Sequence, residues 1–116
     1  MAVKLQDIMD LPECRTLVGA DPDREVTKIF CCDLLSVAMG RAPAGCAWVT
    51  VMGNMNTLAV ASLTDAACVI MAEGCTLDET ASAKARVQGI TVLKTDLPIF
   101  EAALAVHEKL SGGGLC

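Results

Sequence analysis

The sequence predicts an α/β domain: a mostly parallel sheet of four to five strands with helices packed on it, in a single domain. Three observations carry this. Short apolar runs alternate along the chain with segments of helical character, so successive strands are joined by crossovers and run parallel. Hydrophobic residues make up 53% of the chain but aromatic ones only 3%. The core is therefore filled by Val, Leu, Ile, Ala, Met and Cys, which suit closely packed layers. Finally, 116 residues suffice for one core and not for two.

The elements follow in order. Leu5, Ile8, Met9 and Pro12 form a short helical stripe, and Cys14–Val18 reads as a first strand closed by Gly19. Ala20–Arg24, containing Asp-Pro-Asp, is a turn. Glu25–Cys32 carries the β-favouring Val26, Thr27, Ile29 and Phe30 and reads as one strand, after which Asp33 caps a helix through Leu34–Met39 that Gly40 ends. Arg41–Gly45, with Pro43, is a loop. Cys46–Met52 is a nearly continuous apolar strand of the kind buried on both faces. Asn56 caps a helix through Thr57–Leu63, and Ala67–Ala72 is another buried strand. Thr76-Leu77-Asp78-Glu79 has the spacing of a capping box and opens a helix to about Gln88, stopped by Gly89. Ile90–Lys94 is the last strand. Thr95 or Asp96 caps a final helix in which Leu97, Phe100, Leu104, His107 and Leu110 share one apolar face. The domain spans 1–110, and residues 111–116 form a flexible glycine-rich tail.

Composition excludes several function classes. A net charge of −5 and the lack of any Lys/Arg run argue against nucleic acid, whose binding needs clustered cations to displace counterions. The apolar stretches Leu58–Leu63 and Ala66–Ala72 fall far short of the roughly 20 residues that span a bilayer. Lys4, Asp7 and Asp10 break up the N-terminus, so no signal peptide is read there and a cytoplasmic protein, away from membranes, is expected. The seven cysteines are an odd number without a targeting segment, which points to reduced thiols.

No motif supplies a catalytic set. Gly40-Arg-Ala-Pro-Ala-Gly45 matches the opening of the phosphate-binding P-loop, but Cys46 and Ala47 stand where Lys and Ser/Thr are required, and the glycines lead from helix into strand. His107, the lone histidine, sits on the expected apolar face of the last helix and reads as a packing residue. No C-x-x-C pair and no second histidine exist to build a zinc site. Cys31 and Cys32 are neighbours in a strand and point to opposite faces, so they cannot jointly hold a metal. Cys68 reads as an inert core thiol, whereas Cys75 and Cys116 are expected to be the exposed, oxidisable ones. No cofactor and no metal are expected.

The remaining signal is positional, because ligands of open α/β sheets bind outside the carboxyl ends of the strands. That rule selects Asp33, Thr50, Gly53, Asn54, Asn56, Glu73, Thr95 and Asp96. The Gly53–Asn56 loop would offer backbone N–H groups to an anion at a helix N-terminus. The competing reading is that Asn54 and Asn56 serve turn and cap bonds, and that Asp33 and Asp96 are ordinary caps.

In order and spacing, Arg24-Glu25-Val26-Thr27, Asp33-Leu34-Leu35-Ser36 with Met39, Trp48-Val49-Thr50, Asn56 with Ala59-Val60-Ala61, Val69-Ile70 with Gly74, and Gly89-Ile90 followed by Thr95-Asp96 and Phe100-Glu101 resemble the DRTGG-domain family, over Leu5 to about Leu110. The Asp-Arg-Thr-Gly-Gly run that names the family is absent, and the loop after Thr50 reads Val-Met-Gly-Asn-Met. Family members resemble the N-terminal domain of HPr kinase/phosphorylase and the domain inserted between CBS modules of certain pyrophosphatases, where the chemistry belongs to other domains. The resemblance implies a non-catalytic regulatory or interaction domain, acting as a homodimer and through an unidentified protein partner. The alternative it leaves open is a sensor of a nucleotide or other anion at the strand ends.

Overall fold

The computed structural model describes residues 3–112. In chain order its elements are β1 (Val3–Lys4), α1 (Leu5–Met9), β2 (Arg15–Val18), β3 (Glu25–Val26), β4 (Lys28–Cys31), α2 (Leu35–Arg41), β5 (Cys46–Thr50), α3 (Met55–Leu63), β6 (Cys68–Met71), α4 (Glu79–Gln88), β7 (Thr91–Lys94) and α5 (Ile99–Leu110). Five strands form one sheet in the order β2-β7-β6-β5-β4. β4, β5, β6 and β7 run parallel and β2 joins antiparallel at the β7 edge. The mostly parallel α/β sheet read from the sequence is therefore the observed architecture.

Strand alternation divides the core in two. Trp48, Val69, Met71 and Val92 face Ala38 of α2, Leu58 and Ala61 of α3, and Ala81 and Ala85 of α4. Ala47, Val49, Cys68, Ile70 and Leu93 face Leu5 and Ile8 of α1 and Ala102 and Val106 of α5. One row, Phe30–Trp48–Val69–Val92–Val18, runs in register across all five strands. Trp48 is fully buried, and its Nε1 donates to the Cys32 carbonyl at 2.9 Å, which satisfies the one polar atom that so large a side chain carries inward.

The segment 25–32 is not one strand but two. Glu25 and Val26 pair antiparallel with β1 in a separate two-stranded sheet, whereas Lys28–Cys31 pair with β5. Thr27 is the break: its N–H donates to the Gly45 carbonyl and its hydroxyl to the Ala44 carbonyl at 2.9 Å. Composition cannot show this division, since both halves are equally β-favouring.

Helix ends depart from expectation for identifiable reasons. Gly40 does not end α2; the helix runs to Arg41 and stops at Ala42, which is extended because Pro43 follows it. α3 is capped by Asn54, not Asn56: Asn54 Oδ1 accepts from the N–H groups of Asn56 and Thr57 at 2.9 and 3.2 Å. After β5 the chain passes Gly53, where any Cβ would lie 2.3 Å from the Thr76 carbonyl oxygen, and Asn54 follows directly as the cap. The same contact displaces the predicted capping box. Asp78, whose N–H donates to the Gly53 carbonyl, caps α4 by accepting from Ala81 N–H at 2.7 Å.

Neither Thr95 nor Asp96 caps α5; Pro98 occupies the N-cap position and bars Leu97 from helical geometry. The buried face of α5 is also not the predicted one. Ala102 and Val106 pack, whereas Phe100 is 70% exposed, Leu104 is 40% exposed and His107 is exposed. Two apolar stripes compete on this helix, and the one of small residues wins because α5 lies directly over β4 and β5. His107 is thus a surface residue, not a packing one.

Candidate functional site

The carboxyl ends of β4, β5, β6 and β7 form one rim, and the strand-end candidates lie along it in two groups with the Gly53–Asn56 loop between them. On the β4–β5 side, Asp33 Oδ1 accepts from the Thr50 hydroxyl at 2.7 Å and from Val51 N–H at 3.0 Å, and the Thr50 oxygen accepts from Met52 N–H at 3.3 Å. Asp33 is therefore not the cap of α2, which has Leu34 at its N-cap and no side-chain cap bond. It fastens the end of the edge strand to its neighbour, with Thr50 fully buried beneath it.

On the β6–β7 side, Glu73 is central. It holds a left-handed backbone at φ 60°, a conformation that disfavours a side chain. Bonds on either side fix it: Glu73 N–H donates to the Leu97 carbonyl, and Gly74 N–H to the Thr95 carbonyl. Glu73 Oε2 accepts from Ile99 N–H at 3.1 Å, so this carboxylate, from another strand, serves the N-terminus of α5 where a local cap was expected. The negative charge also suits that end of the helix dipole. Buried Thr95 accepts through its hydroxyl from Leu97 N–H at 3.2 Å. Asp96 is exposed and its Oδ1 lies beside Gly74.

Between the two groups lies the Gly53–Asn56 loop. Two of its helix-starting N–H groups are taken by Asn54 itself, which leaves less of the amide cradle that the sequence offered to an anion. Asn56 is exposed. Beside it in the first turn of α3, the Thr57 hydroxyl is fully buried and has no hydrogen-bond partner among the described residues.

Clefts among the described residues include one at this rim and two elsewhere on the surface. Thr95, Asp96, Leu97, Pro12 and Glu13 line an open hollow of about 270 Å³. A second, of about 300 Å³, lies between the start of β4 and the end of α5 and is lined mainly by Ile29, Leu110, His107 and Lys28. The third, of about 170 Å³, is polar and sits at the opposite end of the sheet. There Arg24 donates to Asp65 Oδ1 at 3.1 Å and to the Asp65 carbonyl at 2.8 Å. Asp21 and Asp65, both lining that cleft, are left-handed at φ 50° and 58°. Sequence reasoning missed this group because Arg24 and Asp65 are far apart in the chain and neither carries a local pattern.

The thiols sort differently from expectation. Cys31, on the edge strand, is exposed and Cys75 is only half-buried, packed against the core. Cys116 lies outside the described residues. Burial pushes the Cys46 thiol up to about 11, and burial followed by the charge of Glu13 does the same to Cys14. Cys68, wholly enclosed, is raised further by burial. Among the described residues, no group of three or more His, Cys, Asp or Glu side chains is placed to hold a metal ion, and no helix is long and apolar enough to cross a membrane.

No family model and no curated protein match the chain. Among solved structures, its fold is similar to the CBS and DRTGG domains of the regulatory region of Clostridium perfringens pyrophosphatase, complexed with the activator diadenosine tetraphosphate. The TM-score is 0.69 at 14% identity, over 92% of this chain and 47% of that one. The chain thus spans about half of that structure. What the two share is the fold.

Proposed function

We propose that this chain is a non-catalytic regulatory domain of the DRTGG kind, acting in the cytoplasm through self-association and a protein partner. The observation that carries this reading is the contrast between the rim and the helices. At the rim, Asp33, Thr50, Asn54, Glu73 and Thr95 are engaged in bonds that hold strand ends and helix starts together. Outside the core, Leu34, Val37 and Met39 at and before α2, and Phe100 and Leu104 on α5 across the sheet, are turned outward, apolar surface that association would cover. The fold's likeness to a regulatory region agrees with this. The test is light scattering of the reduced protein, with and without nucleotides. A dimer indifferent to nucleotides supports the reading; a monomer at every concentration counts against it.

A second reading, a sensor of a nucleotide or other anion at the rim, is supported by two observations. The structure with the similar fold is of a complex with diadenosine tetraphosphate, and the buried Thr57 hydroxyl lacks a partner. Its site would draw on Asp33, Thr50, Gly53, Asn54, Asn56, Glu73, Thr95 and Asp96. A ligand that binds only the folded state must raise the melting temperature, so a nucleotide panel that leaves it unmoved removes this reading.

A further inference from the structure

We propose that the open edge of β4 is the self-association surface, and that its occupant is β4 of a second copy, added antiparallel about a two-fold axis at Phe30 so that two five-stranded sheets become one of ten. This rests on the self-association reading above and names its surface.

β4 ends the sheet on one side and pairs with β5 alone. In a parallel ladder, alternate residues of a strand turn their peptide groups toward the same neighbour. The Thr50 carbonyl accepts from Ala72 N–H on the β6 side, and the Val49 carbonyl accepts from Cys32 N–H on the β4 side. Lys28, Phe30 and Cys32 are therefore the residues of this segment that bond inward. Ile29 and Cys31 turn their N–H and C=O groups out of the sheet, and these four groups have no partner among the described residues. The opposite edge, β2, shifts register between Thr16 and Val18, and irregularity of that kind keeps an edge from pairing. β4 keeps its register through all four residues and contains no proline.

The positions of the outward groups select the partner and the register. An axis at Ile29 would set Cys31 against Thr27 of the second copy, whose N–H and hydroxyl are already given to Gly45 and Ala44. An axis at Cys31 would set Ile29 against Asp33 of the second copy, which lies beyond the strand and is fastened to Thr50 and Val51. An axis at Phe30 sets Ile29 of each copy against Cys31 of the other, and each of these two pairs exchanges both of its N–H···O bonds. Every outward group of the strand is then met. The side chains agree: Phe30 is half-buried and ends the row that runs from Val18 through Val92, Val69 and Trp48. At the axis it meets Phe30 of the second copy in a pair without mutual hydrogen bonds, where side chains come closest, and aromatic partners are favourable there. The row then continues into the second sheet. Lys28 falls opposite Cys32 of the second copy, well clear of the other Lys28. Isologous pairing of this kind uses up both β4 edges and closes at two chains.

The test joins sedimentation with residue-resolved amide hydrogen exchange on the full chain under reducing conditions. The wild type is expected at twice 12.1 kDa. The amides of Ile29 and Cys31 should exchange at least about tenfold more slowly in the dimer than in dilute monomer, while those of Phe30 and Cys32, bonded to β5 in both, are protected throughout. Cys31→Pro removes one outward donor and no bond within the chain, a position where an edge strand tolerates proline. It is expected at the monomer mass, with the melting temperature of the dilute wild type. A wild-type dimer in which the Ile29 and Cys31 amides exchange as fast as in the monomer, or one that survives Cys31→Pro, overturns the β4 edge while leaving self-association standing; a wild type that stays monomeric into the millimolar range overturns both.

Discussion

α2 and α3 are successive crossover helices of one layer, yet they are held in place by different means. α3 buries Thr57, Leu58, Val60 and Ala61 and has Asn54 across two of its first N–H groups. α2 buries one alanine, starts at a leucine without a cap bond and contains a glycine. A short helix is stable only through what packs on it, so α3 is secured by four buried side chains and a cap, while α2 relies on Ala38, with Leu35 partly buried beside it, and on its contact with α3. The lesson is that the same position in a fold can serve stability or exposure, and that burial and capping together tell which.

The largest test of this contrast is truncation. Leu58→Ala should cost about 2–5 kcal/mol, as for other buried leucines, whereas Val37→Ala, measured in dilute monomer, should stay within about 0.5 kcal/mol; chemical denaturation reads both. If Val37→Ala costs as much as Leu58→Ala, the contrast fails.

The layer beneath α3 gives the next effect. Cys46 holds its proton up to about pH 11 in the folded chain, against an ordinary 9.0. The unfolded chain therefore ionises first, and stability that is fully present below pH 9 falls as the pH rises toward 11, by on the order of 2 kcal/mol. Cys46→Ala should make the fall between pH 9 and 11 shallower.

Two smaller effects bear on the ends of α3. Asn54→Ala should cost about 1 kcal/mol by losing the cap. Thr57→Val, which removes a buried hydroxyl without changing shape, should gain about 1 kcal/mol; a loss instead would mean that the hydroxyl is satisfied by a bound molecule. The smallest change belongs to α2. Gly40→Ala should raise monomer stability by about 0.5–1 kcal/mol through helix propensity alone.

Much of this was legible in the sequence because it was written in periodicity. Cys46–Val49 and Cys68–Met71 are apolar throughout and lie in two inner strands, β5 and β6, buried along their whole length. Gly89 closes α4 with a left-handed residue, as expected of glycine after a helix. What stayed hidden depends on contacts between distant segments. That Gly53 must accommodate the Thr76 carbonyl, which moves the caps of both α3 and α4, is invisible to any local rule. So is the reach of Glu73 to α5, and the choice between two apolar stripes on that helix. The rim was found by the general rule for parallel sheets, but whether Asp33 and Glu73 face solvent or hold their own chain is decided by Thr50, Val51 and Ile99.

The antiparallel strand β2 has a consequence for how the protein is made. Its only neighbour in the sheet is β7, and the link that continues this contact, between Ala20 and Thr91, spans 71 residues of chain. A ribosome delivers β2 before β4, β5 and β6 and its partner β7 after them, so β4, β5 and β6 can assemble in turn as each emerges, while Leu17 and Val18 wait for β7. Closing so long a loop is slow compared with local pairing. The sheet's last step is then the arrival of its earliest strand, and the half-built intermediate carries an open β7 edge that a chaperone or a neighbouring nascent chain can reach first.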